Sequence, residues 1–166
     1  MLNKTKKTAL AVGIASISGL TMAAECSTVR FSDVGWTDIT ATTAVVSEIS
    51  EGLGYKTKTQ LLSVPVTYTS LANGDIDVFL GNWMPTMQAD IEPYLKAGTV
   101  EDLGPNLIGA KYTLAVSQAA YDAGVTDFSD IAKHRKEFSG RIYGIEPGND
   151  GNRIIQDMID SNAFEL

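Results

Sequence analysis

The sequence predicts an α/β fold built on a largely parallel sheet, and three observations carry that expectation. Segments with strand and helix character alternate from Val29 to about Ala97. One of them, Ile76 to Leu80, is almost purely apolar, as a buried strand reads. Glycine and proline punctuate the joins between segments.

Taken in order, Val29 to Val34 reads as the first strand. Ile39 to Leu53 reads as a helix with Ile39, Val46, Ile49 and Leu53 on one face, stopped by Gly54. Lys56 to Val64 is the second strand. Pro65 opens a short helix through Leu71 that Gly74 closes, Ile76 to Leu80 is the third strand, and Pro85 opens a helix toward Tyr94. Around Leu103 to Lys111 the pattern breaks into Gly, Pro and Asn, which reads as a crossover. A second series follows: a strand from Tyr112 to Ser117, a helix from about Phe128 to Phe138 capped by Asp127, a strand from Arg141 to Ile145, a Gly-rich turn and a helix from Arg153 to Ser161. Two strands and two helices are few for a layer whose sheet must be covered on both faces, so this second unit reads as incomplete.

The start of the chain sets a compartment. Lys4, Lys6 and Lys7 precede a short apolar run from Thr8 to Leu20, and the small residues of Thr-Met-Ala-Ala suit cleavage near Ala24. Residues 1–24 are therefore expected to be a secretory signal peptide, since the run is too short to span a bilayer. Glu25 stands before the single cysteine, Cys26, where a lipoprotein signal would need a small residue, so the expected mature chain is soluble and periplasmic. One cysteine is an odd count for an exported protein: it is a free thiol, an intermolecular bridge or half of a pair.

Removing residues 1–24 takes away three lysines and no acids, so the formal charge moves from −7 to −10. An acidic surface disfavours nucleic acid and can gather small cations. No nucleic-acid partner is expected.

In open α/β sheets ligands bind beyond the carboxyl ends of the strands. The first strand is followed by Gly35-Trp36-Thr37-Asp38, the third by Gly81-Asn82-Trp83-Met84-Pro85, and the strand ending at Ile145 by Pro147-Gly148-Asn149-Asp150-Gly151-Asn152 shortly after. Both tryptophans of the chain fall at such places. Each ring either packs over the edge of the core or presents a face to a ligand. A trimethylammonium group has no hydrogen-bond donor, so only aromatic faces and negative charge can hold it, at about 0.5–2 kcal/mol per face. Asp38 fits two roles, N-cap ahead of Ile39 or carboxylate beside a cation. Asn149 and Asn152 fit turn formation and capping, or an amide that meets a ligand hydroxyl. The same turn, with Arg153 nearby, could hold a phosphate on free backbone amides, although it lacks the spacing of either nucleotide motif. Tyr112 opens its strand as a packing residue or as a further aromatic wall.

Parts for an enzyme are missing from the pattern. The only histidine, His134, lies in the charged stretch Lys133-His134-Arg135-Lys136-Glu137, and no HExxH, GxSxG, paired-cysteine or calcium-loop motif occurs. The expectation is a binding protein with no cofactor and no metal.

The segments FSDVGWTDITATTA, LSVPVTYTSLANGDIDVFLGNWMPTM, GAKYTLAV and YGIEPGNDGNR together resemble the choline and glycine betaine binding proteins of bacterial ABC importers, most of all the choline-binding subgroup. The resemblance implies a type II periplasmic binding protein, a two-lobed clamp that closes on its ligand and delivers it to a membrane permease. It implies residues 25–110 in lobe one and 111–166 in an incomplete lobe two. It makes Trp36, Trp83 and Tyr112 walls of an aromatic box, Asp38 the carboxylate partner of the cation, and Asn149 the residue that receives the hydroxyl end of choline. Family members run on beyond the position matching Leu166. That further part would hold another aromatic wall, the rest of lobe two and a cysteine to pair with Cys26, and without that wall choline is expected to bind these 166 residues weakly or not at all. Glycine betaine, proline betaine and other methylated amines are the alternative ligands; an acidic residue beside the pocket favours choline over a betaine carboxylate.

Overall fold

The computed structural model describes residues 27–165; the expected signal peptide and Cys26 lie outside the described residues. Three strands, β1 (Thr28–Asp33), β2 (Lys56–Leu61) and β3 (Val78–Phe79), form a parallel sheet in the order β2-β1-β3. Helix α1 (Thr37–Gly52) joins β1 to β2, α2 (Val64–Asn73) joins β2 to β3, and α3 (Gln88–Ala97) follows β3. The predicted βαβαβα order is therefore the observed one. The sheet is shorter than expected at β2 and β3, because each of these strands pairs only with β1 among the described residues.

Burial along β1 increases toward its carboxyl end, where Phe31, Ser32 and Asp33 are all buried. The core gathers there: Val64, Tyr68, Met87 and Ile91 form its centre, and Trp36, Leu71, Phe79, Trp83 and Tyr94 pack against them. Each large apolar side chain that is fully buried contributes about 1.5–3 kcal/mol. Tyr68 stands edge-on to Phe79 with ring centroids 6.0 Å apart and stacks on Tyr94 at 5.9 Å. The one buried hydroxyl on β1, Ser32, is satisfied by Thr67 of α2 at 2.6 Å, as a polar group out of reach of water requires.

The same gradient corrects the face expected for α1. Its buried positions are Ile39 and Thr43, whereas Ile49 and Leu53 are exposed. α1 runs antiparallel to β1, so its last turns lie over the amino ends of the strands, where β1 itself is more exposed. A second correction concerns Pro85, expected to open a helix. The Met84–Pro85 peptide is cis, residues 83–87 form a turn in which the Trp83 carbonyl accepts from Met87 N–H and Thr86 Oγ1 (2.9 Å each), and α3 begins only at Gln88.

Beyond the crossover the elements are short helices: α4 (Gln118–Asp122), which the sequence pattern did not suggest, α5 (Phe128–Ile131) and α6 (Asp150–Asp160). Asp127 caps α5 as expected, in a reciprocal box with Asp130, but the helix ends at Ile131 and turns replace the rest of the predicted span to Phe138. The carboxyl of Asp130 is held down to about 2 by its hydrogen bond from Lys133, helped by backbone N–H donors of Thr126 and Asp127. The strands expected at Tyr112 to Ser117 and Arg141 to Ile145 are absent as ladders. A strand exists only where a neighbour supplies its hydrogen bonds, and neither segment has such a neighbour among the described residues.

Gly81 closes the join from β3 to the Trp83 loop under a tight roof: a Cβ there would lie 2.9 Å from two Phe79 ring carbons and 3.0 Å from Ile39 Cγ1. Gly81→Ala is expected to cost about 1–3 kcal/mol by overpacking, read as a lower denaturant midpoint with an unchanged slope. Burial, reinforced by the charge of Asp90, pushes the Tyr68 phenol well above its ordinary value of 10.0. A raised phenol contributes stability that is complete below the unfolded value and lost as pH climbs past it. The unfolding midpoint should therefore fall more steeply above pH about 10 in the unsubstituted chain than in Tyr68→Phe, and equal slopes would refute this.

Candidate functional site

The loops that follow β1 and β3 at the carboxyl edge of the sheet are fixed by side-chain acceptors. After β1, the buried Asp33 carboxylate accepts Gly35 N–H at 2.7 Å through one oxygen and the Thr40 hydroxyl at 2.8 Å through the other. This grips the turn from both ends and sets Trp36 at the N-cap position of α1. After β3, Tyr68 donates its hydroxyl to Asn82 Oδ1 at 2.8 Å, and Trp83 N–H donates to the Met87 sulfur at 3.1 Å. Each tryptophan thus has one side on the core cluster and one side free for the loop face. The packing role that the sequence offered for each ring is filled.

The second half of the chain closes over these rings. Trp36 Nε1–H donates to Glu146 Oε1 at 3.0 Å. Tyr112 stands 6.0 Å from Trp83, ring to ring, tilted by 43°. Its hydroxyl donates to Asn149 Oδ1 at 2.9 Å. Asn149 is the N-cap of α6 and is buried; its Oδ1 also accepts Gly151 N–H at 2.8 Å, while its Nδ2 donates to Glu146 Oε1 at 3.0 Å. Gly151 is needed as glycine, because a Cβ there would collide with the Tyr112 hydroxyl. Arg153 reaches back to Asp90 at 3.0 Å and forms an ion pair with it.

Between these contacts lies a cavity of about 110 Å³ lined by Trp36, Asp38, Trp83, Tyr112, Ile145, Asn149 and Asp150. All five residues singled out in the sequence line it. Asp38 enters from the first turn of α1, exposed to solvent. The alternative expected for it, the N-cap, belongs instead to Trp36, and no side chain caps that helix. Burial raises the Tyr112 phenol above its ordinary value, with further upward pressure from Asp150 and Glu146 and a partial offset from Gly151 N–H. Tyr112 is therefore a neutral ring and a hydrogen-bond donor at physiological pH.

Three residues were not selected from the sequence. Glu146 follows the segment expected to end at Ile145, so the same strand-end rule that chose the tryptophans could have found it. Asp150 stood inside the quoted turn without a role. Ile145 supplies an apolar patch. Asn152 was weighed as a ligand amide, but its side chain staples the backbone of Ile145 and Glu146 to α6 (Oδ1 from Ile145 N–H at 2.9 Å, Nδ2 to Glu146 O at 3.0 Å).

The cavity carries two carboxylates and no basic side chain. Arg153, the candidate for a phosphate, is engaged by Asp90. The arrangement suits a small cation rather than an anion. Among the described residues no cluster of His, Cys, Asp and Glu could hold a metal, and no helix is long and apolar enough to cross a membrane. A wider cleft of about 770 Å³ runs along β3 toward Leu103. It contains neither tryptophan, so size alone does not mark the site.

Known proteins match this arrangement in sequence and in fold. A solved structure titled "ABC-transporter choline binding protein in complex with choline" is 63% identical, with a TM-score of 0.79 over 85% of this chain and 49% of that one. Its counterpart "in unliganded semi-closed conformation" is 64% identical, with a TM-score of 0.74 over 84% and 49%. The chain thus spans about half the length of these solved proteins. "Uncharacterized protein ORF1" of Chromohalobacter salexigens is 54% identical over 92% of this chain and 98% of its own length. The glycine betaine/carnitine transport binding protein GbuC of Listeria monocytogenes is 32% identical over 62% of this chain and 33% of its own. Residues 27–166 match the family described as the substrate binding domain of ABC-type glycine betaine transport system. An aromatic cavity at the carboxyl edge of a parallel sheet and a family match across every described residue lead to one statement: the chain belongs to the family of substrate-binding domains of ABC-type glycine betaine transport systems.

Proposed function

We propose that the 110 Å³ cavity holds the cationic head of a quaternary ammonium compound, that choline is the preferred ligand, and that the chain serves in the periplasm as capture component for an ABC permease. The observation that carries this is the convergence of Trp36, Trp83 and Tyr112 with Asp38 around one cavity that has no basic lining residue. A trimethylammonium group cannot be recognised by hydrogen bonds, and this lining offers what can recognise it: polarisable faces and negative charge. The cavity is far smaller than the several hundred cubic ångströms of a drug-sized site, which fits a ligand head of a few heavy atoms. The choline complex of a 63% identical protein supports the same ligand class.

In this reading residues 25–110 belong to lobe one and residues 111–166 to lobe two. Trp36, Asp38 and Trp83 come from the first, Tyr112 and Asn149 from the second. Ligand binding favours the arrangement in which both sets meet, by the difference in its affinity for the closed and open forms. The closed form is the species that docks on the permease. No bond is made or broken.

Glycine betaine is the second reading, favoured by the family's printed description and by the name of the Listeria relative. Charge separates the two. Betaine would bring a carboxylate toward a lining that already holds Asp38 and Asp150, whereas choline brings a hydroxyl.

Calorimetric titration tests the proposal. Trp83→Ala should weaken choline binding roughly tenfold or more, from the lost ring face of about 0.5–2 kcal/mol and the apolar contact, while Trp83→Phe retains most of it. Choline affinity unchanged in Trp83→Ala would remove the aromatic box from the account. Competition between choline and glycine betaine tests the choice of ligand: Asp38→Asn should narrow the preference for choline several-fold, and an unchanged ratio would count against Asp38 as the source of that preference.

A further inference from the structure

Without the three lysines of residues 1–24 the chain has ten basic side chains against twenty acidic ones, and four of the ten fall within nine positions: Lys133, Arg135, Lys136 and Arg141. With carboxylates twice as common as cations, a basic residue finds a partner easily. Lys133 has one, Asp130 at 2.9 Å. Arg135, Lys136 and Arg141 are exposed and form no ion pair among the described residues, and neither does Glu137, the one acid in the stretch.

The backbone holds these charges together. Ser139 and Gly140 both take left-handed conformations (φ 53° and 62°). Gly140 N–H donates to Arg135 O at 2.8 Å, and Arg141 N–H donates to Phe138 O at 3.1 Å. The chain thereby turns back on itself. Arg135 Nε lies 3.7 Å from the place a Gly140 Cβ would take, beside the backbone that carries Arg141. Like charges gathered on one turn repel until an anion relieves them. Tyr143, two residues further on, is 84% exposed.

The setting of the patch decides the kind of anion. A site for a single free phosphate needs donors that converge in a concavity. These side chains stand on an exposed turn and line neither the small cavity nor the wider cleft. They suit a plane that presents many phosphates at once. An exposed tyrosine beside lysines and arginines is the composition that membranes favour at the level of their headgroups. The negative charge of the whole chain does not oppose this, because screening limits each charge to about 8 Å at physiological salt. A surface that touches the turn meets the local cations first.

We infer that the turn at residues 133–141 docks the chain on anionic phospholipid, with Arg135, Lys136 and Arg141 on the phosphates and Tyr143 among the headgroups. The inference goes beyond ligand capture and does not depend on which ligand the cavity takes. None of these residues lines the cavity, so docking uses no residue of the binding site.

Co-sedimentation with vesicles tests it, with phosphatidylcholine alone and with phosphatidylcholine mixed with phosphatidylglycerol. Free choline is present throughout, so that no lipid headgroup enters the cavity. The unsubstituted chain should bind the mixed vesicles, leave them as sodium chloride is raised, and ignore the neutral ones. The combined Arg135→Gln, Lys136→Gln and Arg141→Gln variant should bind the mixed vesicles roughly a hundredfold more weakly, from the loss of three cations near the surface, with thermal unfolding unchanged. Arg135→Lys with Arg141→Lys should retain most of the binding, because the charge is kept. Lys56→Gln with Lys58→Gln removes two exposed cations elsewhere and should change nothing; an equal loss there would mean diffuse attraction and overturn the patch. Equal binding to neutral vesicles overturns the inference, and so does no binding to the mixed ones, the outcome if an acidic protein surface is the partner. Release by inorganic phosphate beyond that by sodium chloride of equal ionic strength would make the turn a single-ion site and also overturn it.

Discussion

Glu146 holds the site together through one oxygen. Its Oε1 accepts the Trp36 indole N–H and the Asn149 amide N–H, each at 3.0 Å, and so ties the loop after β1 to the turn before α6 across 110 positions of sequence. A carboxylate bonded to neutral N–H donors makes stronger, shorter contacts than a neutral acceptor would. Trp36 is pinned on both sides as a result, by the core cluster beneath and by Glu146 at its rim. Asn149, oriented from the same point, in turn orients Tyr112. Three walls of the cavity therefore take their geometry from a residue that does not line it.

Why the walls converge at all is a matter of topology. Parallel strands place all their carboxyl ends on one edge, and β1 lies between β2 and β3, so the loops that leave β1 and β3 start side by side. Each carries one tryptophan. Asp33 and Gly81 then decide how sharply each loop turns, the first by accepting two donors, the second by having no Cβ where Phe79 and Ile39 leave no room. The position of a binding site at a sheet edge is a general property of this architecture; the aromatic character of the cavity here comes from these two short loops and from Tyr112.

Much of this was legible before the structure. The alternation of elements through residue 97, the parallel sheet and five of the seven residues that line the cavity follow from periodicity, strand-end position and family likeness. The second half was less so. Tyr112 to Ser117 and Arg141 to Ile145 have strand composition, but composition cannot say whether a neighbour is present to pair with, and none is among the described residues. The face of α1 was misread at Ile49 and Leu53 because helical periodicity gives the direction of a face and not how far along it the cover extends. Glu146 and Asp150 were passed over for a related reason: an acid in a turn looks like solvent-facing polarity until its partners are known.

The chain contains two tryptophans, and both wall the same cavity. Indole emission from these 166 residues thus comes from the walls of that cavity alone. One ring is hydrogen-bonded at its N–H to a carboxylate, and the backbone N–H of the other is bonded to the sulfur of Met87. The two fluorophores differ in surroundings while sharing one solvent-filled or ligand-filled space. The protein carries its own optical probe: the colour and intensity of its native ultraviolet emission report the state of the cavity directly, with no label attached.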